Sequence, residues 1–166
     1  MRAWLACLLL CIACGGTASR PSTAGPVVAG DAAARLPAAL EQWRQGYEVR
    51  SIEALEPLYS QTDDLTLVMQ GKVTTTWPSV RSTIADFLGS NTQVKLKVQD
   101  VRIVALGGDA AVVTCGLIRR YGDGIRSTSE TGALTLLFRM TPPVDSKAPA
   151  TWKITLEHYS FRSGAQ

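Results

Sequence analysis

The single histidine of the chain, His158, stands in the stretch WKITLEHYSF, Trp152 to Phe161. An imidazole titrates near neutral pH and serves as general acid or base where it is half-buried beside a substrate. Strict alternation puts His158 in phase with Trp152, Ile154, Leu156 and Ser160, so it is expected on the apolar face of its strand. A histidine there can equally be a wall residue fixed by one hydrogen bond. Proton abstraction next to a carbonyl needs a carboxylate in a dry pocket and donors for the developing oxyanion. The mid-strand acids are Asp100 and Glu130, with Asp63 and Asp64 at a strand mouth. Asp100 is the candidate base, although Lys97 and Arg102 offer it a surface pairing. Trp43, Tyr47, Tyr59, Trp77 and Tyr121 are candidates to line a pocket for a flat apolar ligand, against the competing expectation that they fill the core. Arg119 and Arg139 are in-strand cations that suit either an anionic ligand or a carboxylate such as Glu130. Cys115, in VVTCGLI, is expected to be buried and inert. One histidine, one cysteine in the folded part and scattered acids do not form a metal cage, and no phosphate loop or nucleophile elbow occurs, so no cofactor is called for.

The N-terminus carries a different message. Arg2 precedes WLACLLLCIA, Trp4 to Ala13, an apolar run too short for a span that needs about 20 residues and of the form of an export signal. Ile12 and Ala13 before Cys14 resemble the lipobox of bacterial lipoproteins, with Cys11 where that pattern usually has leucine. The resemblance implies lipidation of Cys14 and a membrane-anchored protein of the cell envelope. An ordinary leader cleaved near Ala18, giving a soluble periplasmic or secreted protein, is the alternative. Cys7 and Cys11 leave with such a leader and Cys14 carries lipid, so Cys115 has no partner for an internal disulfide. The net charge of +3 is small and dispersed, which argues against nucleic acid as a partner.

These residues need elements to position them. Residues 1–14 read as the signal, and residues 15–35, rich in Gly, Ala, Ser, Thr and Pro, as a flexible tether. A single domain is expected over residues 36–162. Leu36, Leu40, Trp43 and Tyr47 recur at steps of 4, 3 and 4 and define one face of a helix, with Pro37 in its first turn. Ser51 caps a short second helix that Pro57 bends or ends. A third helix starts near Pro78, buries Val80, Ile84, Phe87 and Leu88, and stops at Gly89. Two short strands, DDLTLVM and GKVTTTW, precede it. Beyond Gly89 the pattern changes to period two: four long strands, the first slipping phase at Asp100 as a β-bulge does, joined by turns at Gly107-Gly108, Gly122-Asp123-Gly124 and Pro142-Pro143. Helices followed by a strand meander predict an α+β fold with an antiparallel sheet covered on one face.

The helix bearing Trp43 and Tyr47, the phrase SIEALEPLYSQTDDLTLVMQG, and TWKITLEHYSF after the GALTLLFR strand together resemble the nuclear-transport-factor-2-like superfamily, and within it SnoaL-like and calmodulin-kinase-association-like domains. The resemblance runs from Leu36 to Phe161. It implies a cone-shaped bent sheet wrapped around the helices, a pocket at the open end, and pairing of two copies through the outer sheet face. It does not imply one chemistry, because that superfamily holds isomerases, cyclases and dehydratases beside domains that only bind. Three functions are therefore carried forward. One is an envelope lipoprotein binding a small apolar ligand or a protein partner without catalysis. Another is a small isomerase, cyclase or dehydratase using His158, and the last is a structural dimerisation module with an outer face open to charge substitution at Thr155.

Overall fold

The computed structural model describes residues 30–141 and 150–162. The described residues form three helices: α1 (Gly30–Val49), α2 (Ile52–Leu55), continued by a 3-10 turn over Glu56–Leu58, and α3 (Trp77–Gly89). Strands β1 (Thr66–Met69) and β2 (Lys72–Thr75) precede α3, and β3 (Gln93–Ala105), β4 (Ala110–Gly122), β5 (Ser127–Thr141) and β6 (Thr151–Arg162) follow it. They form one six-stranded sheet in the order β2-β1-β6-β5-β4-β3. The sheet is antiparallel except between β1 and β6, which run parallel, a pairing the meander alone did not predict.

The helical periodicity is realised as expected. Leu36, Leu40, Trp43 and Tyr47 are all buried on one side of α1. The helix, however, begins at Gly30 rather than Leu36, and Ala32 is buried. The last residues assigned to the tether are thus helical, and Pro37 lies inside α1, exposed, instead of in its first turn. An alanine-rich segment joins a helix readily once a neighbouring face is buried. Ser51 caps α2, its hydroxyl accepting from the Ala54 amide at 3.1 Å. The α1 helix is tied to the sheet by Glu48, whose carboxylate accepts from the Leu96 amide at 2.9 Å.

Two register shifts shape the sheet. In β3 the pairing with β4 slips between Gln99 and Arg102, where Asp100 has φ +52°, so the expected bulge is present. A second shift lies between β5 and β6, where Leu137 pairs with Leu156 but Phe138 pairs with Ile154. Thr155 is therefore the extra residue of a bulge, and the side chains after it exchange faces. Trp152 and Ile154 point into the core before the bulge, as do Glu157 and Tyr159 after it. The turn expected at Pro142-Pro143 and the signal residues 1–14 lie outside the described residues.

Candidate functional site

The β6 bulge decides which residues occupy the interior. His158 is exposed, opposite Thr135 and Val68 on the outer face, so it does not share the face of Trp152 and Ile154 as alternation predicted. It is not the acid or base of an internal site. Thr155, proposed as an outer-face position, is buried in the bulge with its hydroxyl on the Leu137 carbonyl at 3.4 Å. Asp100 is exposed at the β3 bulge, away from the interior, and is not a base in a dry pocket.

The acid inside the cone is Glu157, which is 0% exposed. Tyr47 and Tyr159 donate to its Oε1, the former at 3.1 Å, and Tyr59 donates to its Oε2. Trp43 in turn donates Nε1–H to the Tyr59 hydroxyl at 3.2 Å. These partners come from α1, the segment after the 3-10 turn, and β6 itself. Burial drives the Glu157 carboxyl above its ordinary range, while the hydroxyls of Tyr159, Tyr59 and Tyr47 and the indole of Trp43 pull it back down. The three phenols are raised well above their usual value, first by burial and then by the charge of Glu157, so they remain donors at neutral pH. Four of the five predicted pocket aromatics thus belong to this cluster or its packing: Trp43, Tyr47 and Tyr59 directly, and Trp77 by stacking on Tyr59 with centroids 5.5 Å apart. They fill the interior instead of lining an open chamber.

Tyr121, the fifth, stands elsewhere, beside Arg119. Arg119 is 2% exposed, and its guanidinium lies against four rings, those of Phe161 (4.4 Å), Phe87 (4.9 Å), Tyr121 (5.1 Å) and Tyr159 (5.2 Å). Its cross-strand neighbour Glu130 accepts from Nε at 3.0 Å and Nη2 at 2.6 Å. Arg139, by contrast, is exposed at its outer-face position opposite Lys153. Cys115 is buried, and burial pushes its thiol up to about 11, so it is protonated at neutral pH.

Between the Glu157 cluster and Arg119 lies a cavity of about 10 Å³, room for one water. Leu67, Met69, Ile84 and Phe87 form its apolar wall, with the rings of Tyr47 and Tyr159 and the Arg119 guanidinium completing it. A larger hollow, about 660 Å³, lies at the β4–β5 hairpin, open to water and lined by Lys95, Arg120 and Arg126 among others. Sequence reasoning missed Glu157 because it assumed one unbroken alternation along β6. A signal was present: Tyr159 and Phe161 continue the apolar row in the phase opposite to Trp152 and Ile154, the same slip that revealed the bulge in β3.

A family model for the SnoaL-like domain matches residues 36–163. The chain belongs to the SnoaL-like family. The fold of this SnoaL-like domain recurs in solved structures. A proposed dehydratase of the NTF2-like family from Streptomyces avermitilis is 21% identical, with 79% of this chain and 96% of that chain covered at a TM-score of 0.67. An NTF2-like protein of unknown function in nutrient uptake from Rhodospirillum rubrum is 26% identical, with 77% and 98% covered at a TM-score of 0.62. A proposed aromatic ring hydroxylase from Novosphingobium aromaticivorans is 15% identical, with 82% and 93% covered at a TM-score of 0.69. No curated protein matches the chain. The cone expected from the sequence is therefore the fold of this domain, and its relatives carry different functional descriptions on one architecture.

Proposed function

We propose that this SnoaL-like domain binds a small apolar ligand in its cone and does not catalyse a reaction. The observation that carries the reading is the sealing of Glu157. It is the acid suited to proton chemistry, yet both of its oxygens are committed to tyrosine hydroxyls and the adjoining cavity has room for no more than one water. A general base must reach the proton it removes, and Glu157 faces protein on all sides. The wall of Leu67, Met69, Ile84 and Phe87 suits an apolar body instead. Met69 and Phe87 are half-buried, and a thioether side chain repacks easily, so the cavity can enlarge on their side. Native mass spectrometry of the exported protein, purified without added ligand, tests this reading. A discrete small-molecule excess that disappears in Ile84→Trp supports it. Turnover of a cyclic ketone that vanishes in Glu157→Gln would replace it with an isomerase.

The placement of this domain is part of the same proposal: anchorage in the cell envelope through lipid on Cys14, supported by Arg2, the apolar run Trp4 to Ala13 and the Ile-Ala-Cys ending. Labelled palmitate should enter the wild type and not Cys14→Ala, and equal labelling would favour a cleaved, soluble form.

A second reading has its own observation. On the outer face, Val104, Val112, Leu137 and Leu156 stand in one register row across β3, β4, β5 and β6. The helices lie on the opposite face. An apolar row left at the surface of a twisted sheet fits a second copy of the same face, and we infer a homodimer built there.

A further inference from the structure

We propose that Arg119 receives a carboxylate, so that the ligand of the cone is a small, flat, apolar monocarboxylic acid. This deepens the pocket-binding reading and rests on it. The argument starts from how the guanidinium spends its five N–H donors. Glu130 takes two of them, from Nε and Nη2, on the single oxygen Oε2. Its other oxygen is occupied by Gln70 Nε2 and the Tyr121 hydroxyl, each at 3.3 Å. The ion pair is thus not the two-oxygen fork that arginine and a carboxylate form at their best. Nη1 donates only to the Met69 sulfur, at 3.5 Å, and a thioether is a weak acceptor. The terminal Nη1–Nη2 edge, the one shaped to grip two oxygens, therefore has no oxygen acceptor on its Nη1 side among the described residues. Met69 is also part of the cavity wall.

The surroundings select the class of ligand. No acid lines the cavity, and its other polar groups are the Tyr47 and Tyr159 hydroxyls, already given to Glu157. Arg119 already shares its charge with Glu130, so its remaining edge suits at most one further carboxylate; a phosphate dianion would call for more positive groups. The four rings around the guanidinium hold it in place, and two of them, Phe87 and Tyr159, also line the cavity and give it an aromatic wall. A simple latch between β4 and β5 would account for Glu130, but it leaves the open edge unexplained. A buried Nη1 that has only a thioether to donate to makes a weak hydrogen bond, and a ligand oxygen in the place of the Met69 sulfur would make a stronger one.

The test compares benzoate with benzamide, its neutral isostere, by isothermal titration of the full chain. Benzoate is expected to bind at least about tenfold more tightly than benzamide, the value of one decade in affinity being 1.4 kcal/mol. Arg119→Met should erase the difference between the two probes. Because that variant could also unfold, Glu130→Gln provides a second measurement: removing the competing carboxylate should tighten benzoate and leave benzamide unchanged. Equal affinity of the wild type for both probes, or weaker benzoate binding in Glu130→Gln, overturns the carboxylate assignment while leaving the apolar pocket standing. Failure of both probes to bind at tens of millimolar overturns the pocket reading together with it.

Discussion

At the scale of single residues, the centre of this protein is a carboxyl group kept out of water by three phenols. Burial raises the affinity of Glu157 for its proton above the unfolded value of 4.5. In the window above pH 4.5 the folded chain therefore holds more of this proton than the unfolded chain does. Stability from this group is complete below 4.5 and declines as the pH rises through the folded value. Replacing Glu157 with glutamine removes the titration. The urea midpoint of the wild type should fall relative to that of Glu157→Gln as pH is raised from 4.5, and two parallel profiles would show that the carboxyl is not perturbed in the folded protein. A second residue-scale prediction concerns the hydroxyl that Trp43 and Glu157 share. Tyr59→Phe leaves the indole N–H without its acceptor and Glu157 without one donor, at a cost of about 1–3 kcal/mol. Chemical denaturation measures it, and a loss within error of zero would mean that water replaces the phenol.

Among the elements, α3 is entered through an unusual backbone. Thr76, just before Trp77, has φ +69° and ψ +142°, a region that glycine adopts and a β-branched residue avoids. The helix behind it carries Ile84 and Phe87, two walls of the cavity. Thr76→Gly should relieve more strain than it adds in unfolded-chain entropy, raising stability by about 1 kcal/mol. A thermal melt decides this, and a lowered Tm would assign the strained conformation to contacts of the threonine itself. The strands show how far element-level reading reaches. In β3 the apolar row Val94, Leu96, Val98 visibly jumps to Val101 and Ile103, and the bulge could be read directly. In β6, Leu156 prolongs the early phase just where Thr155 has already shifted it, so the alternation appears continuous through His158.

For the whole molecule, the sheet face that no helix of the described residues covers predicts assembly. The row of Val104, Val112, Leu137 and Leu156 crosses four strands, and a charge in its middle would have to be desolvated at a symmetric interface. Leu137→Lys should convert a dimer to a monomer in sedimentation velocity, with the monomer still folded because this side chain points away from the core. His158→Ala, on the same face, tests whether the neighbouring row is included. A wild type that sediments as a monomer at all concentrations removes this reading and leaves ligand binding untouched.

What the amino-acid sequence determined by itself were the features governed by local period: the buried stripe of α1, the cap of α2, the extent of α3, the long strands and the α+β class they compose. Each depends on residues a few positions apart, where the spacing of apolar side chains specifies which face is buried. Only the tertiary structure decided that Glu157 rather than His158 faces inward, that Arg119 lies within an aromatic cage, and that the cone is filled to a space for one water. The β6 register is set by hydrogen bonding to β5 and β1, and β1 reaches it from far away in the sequence. The cavity, likewise, is what remains after side chains from two helices and several strands have packed together, a volume that no local pattern encodes.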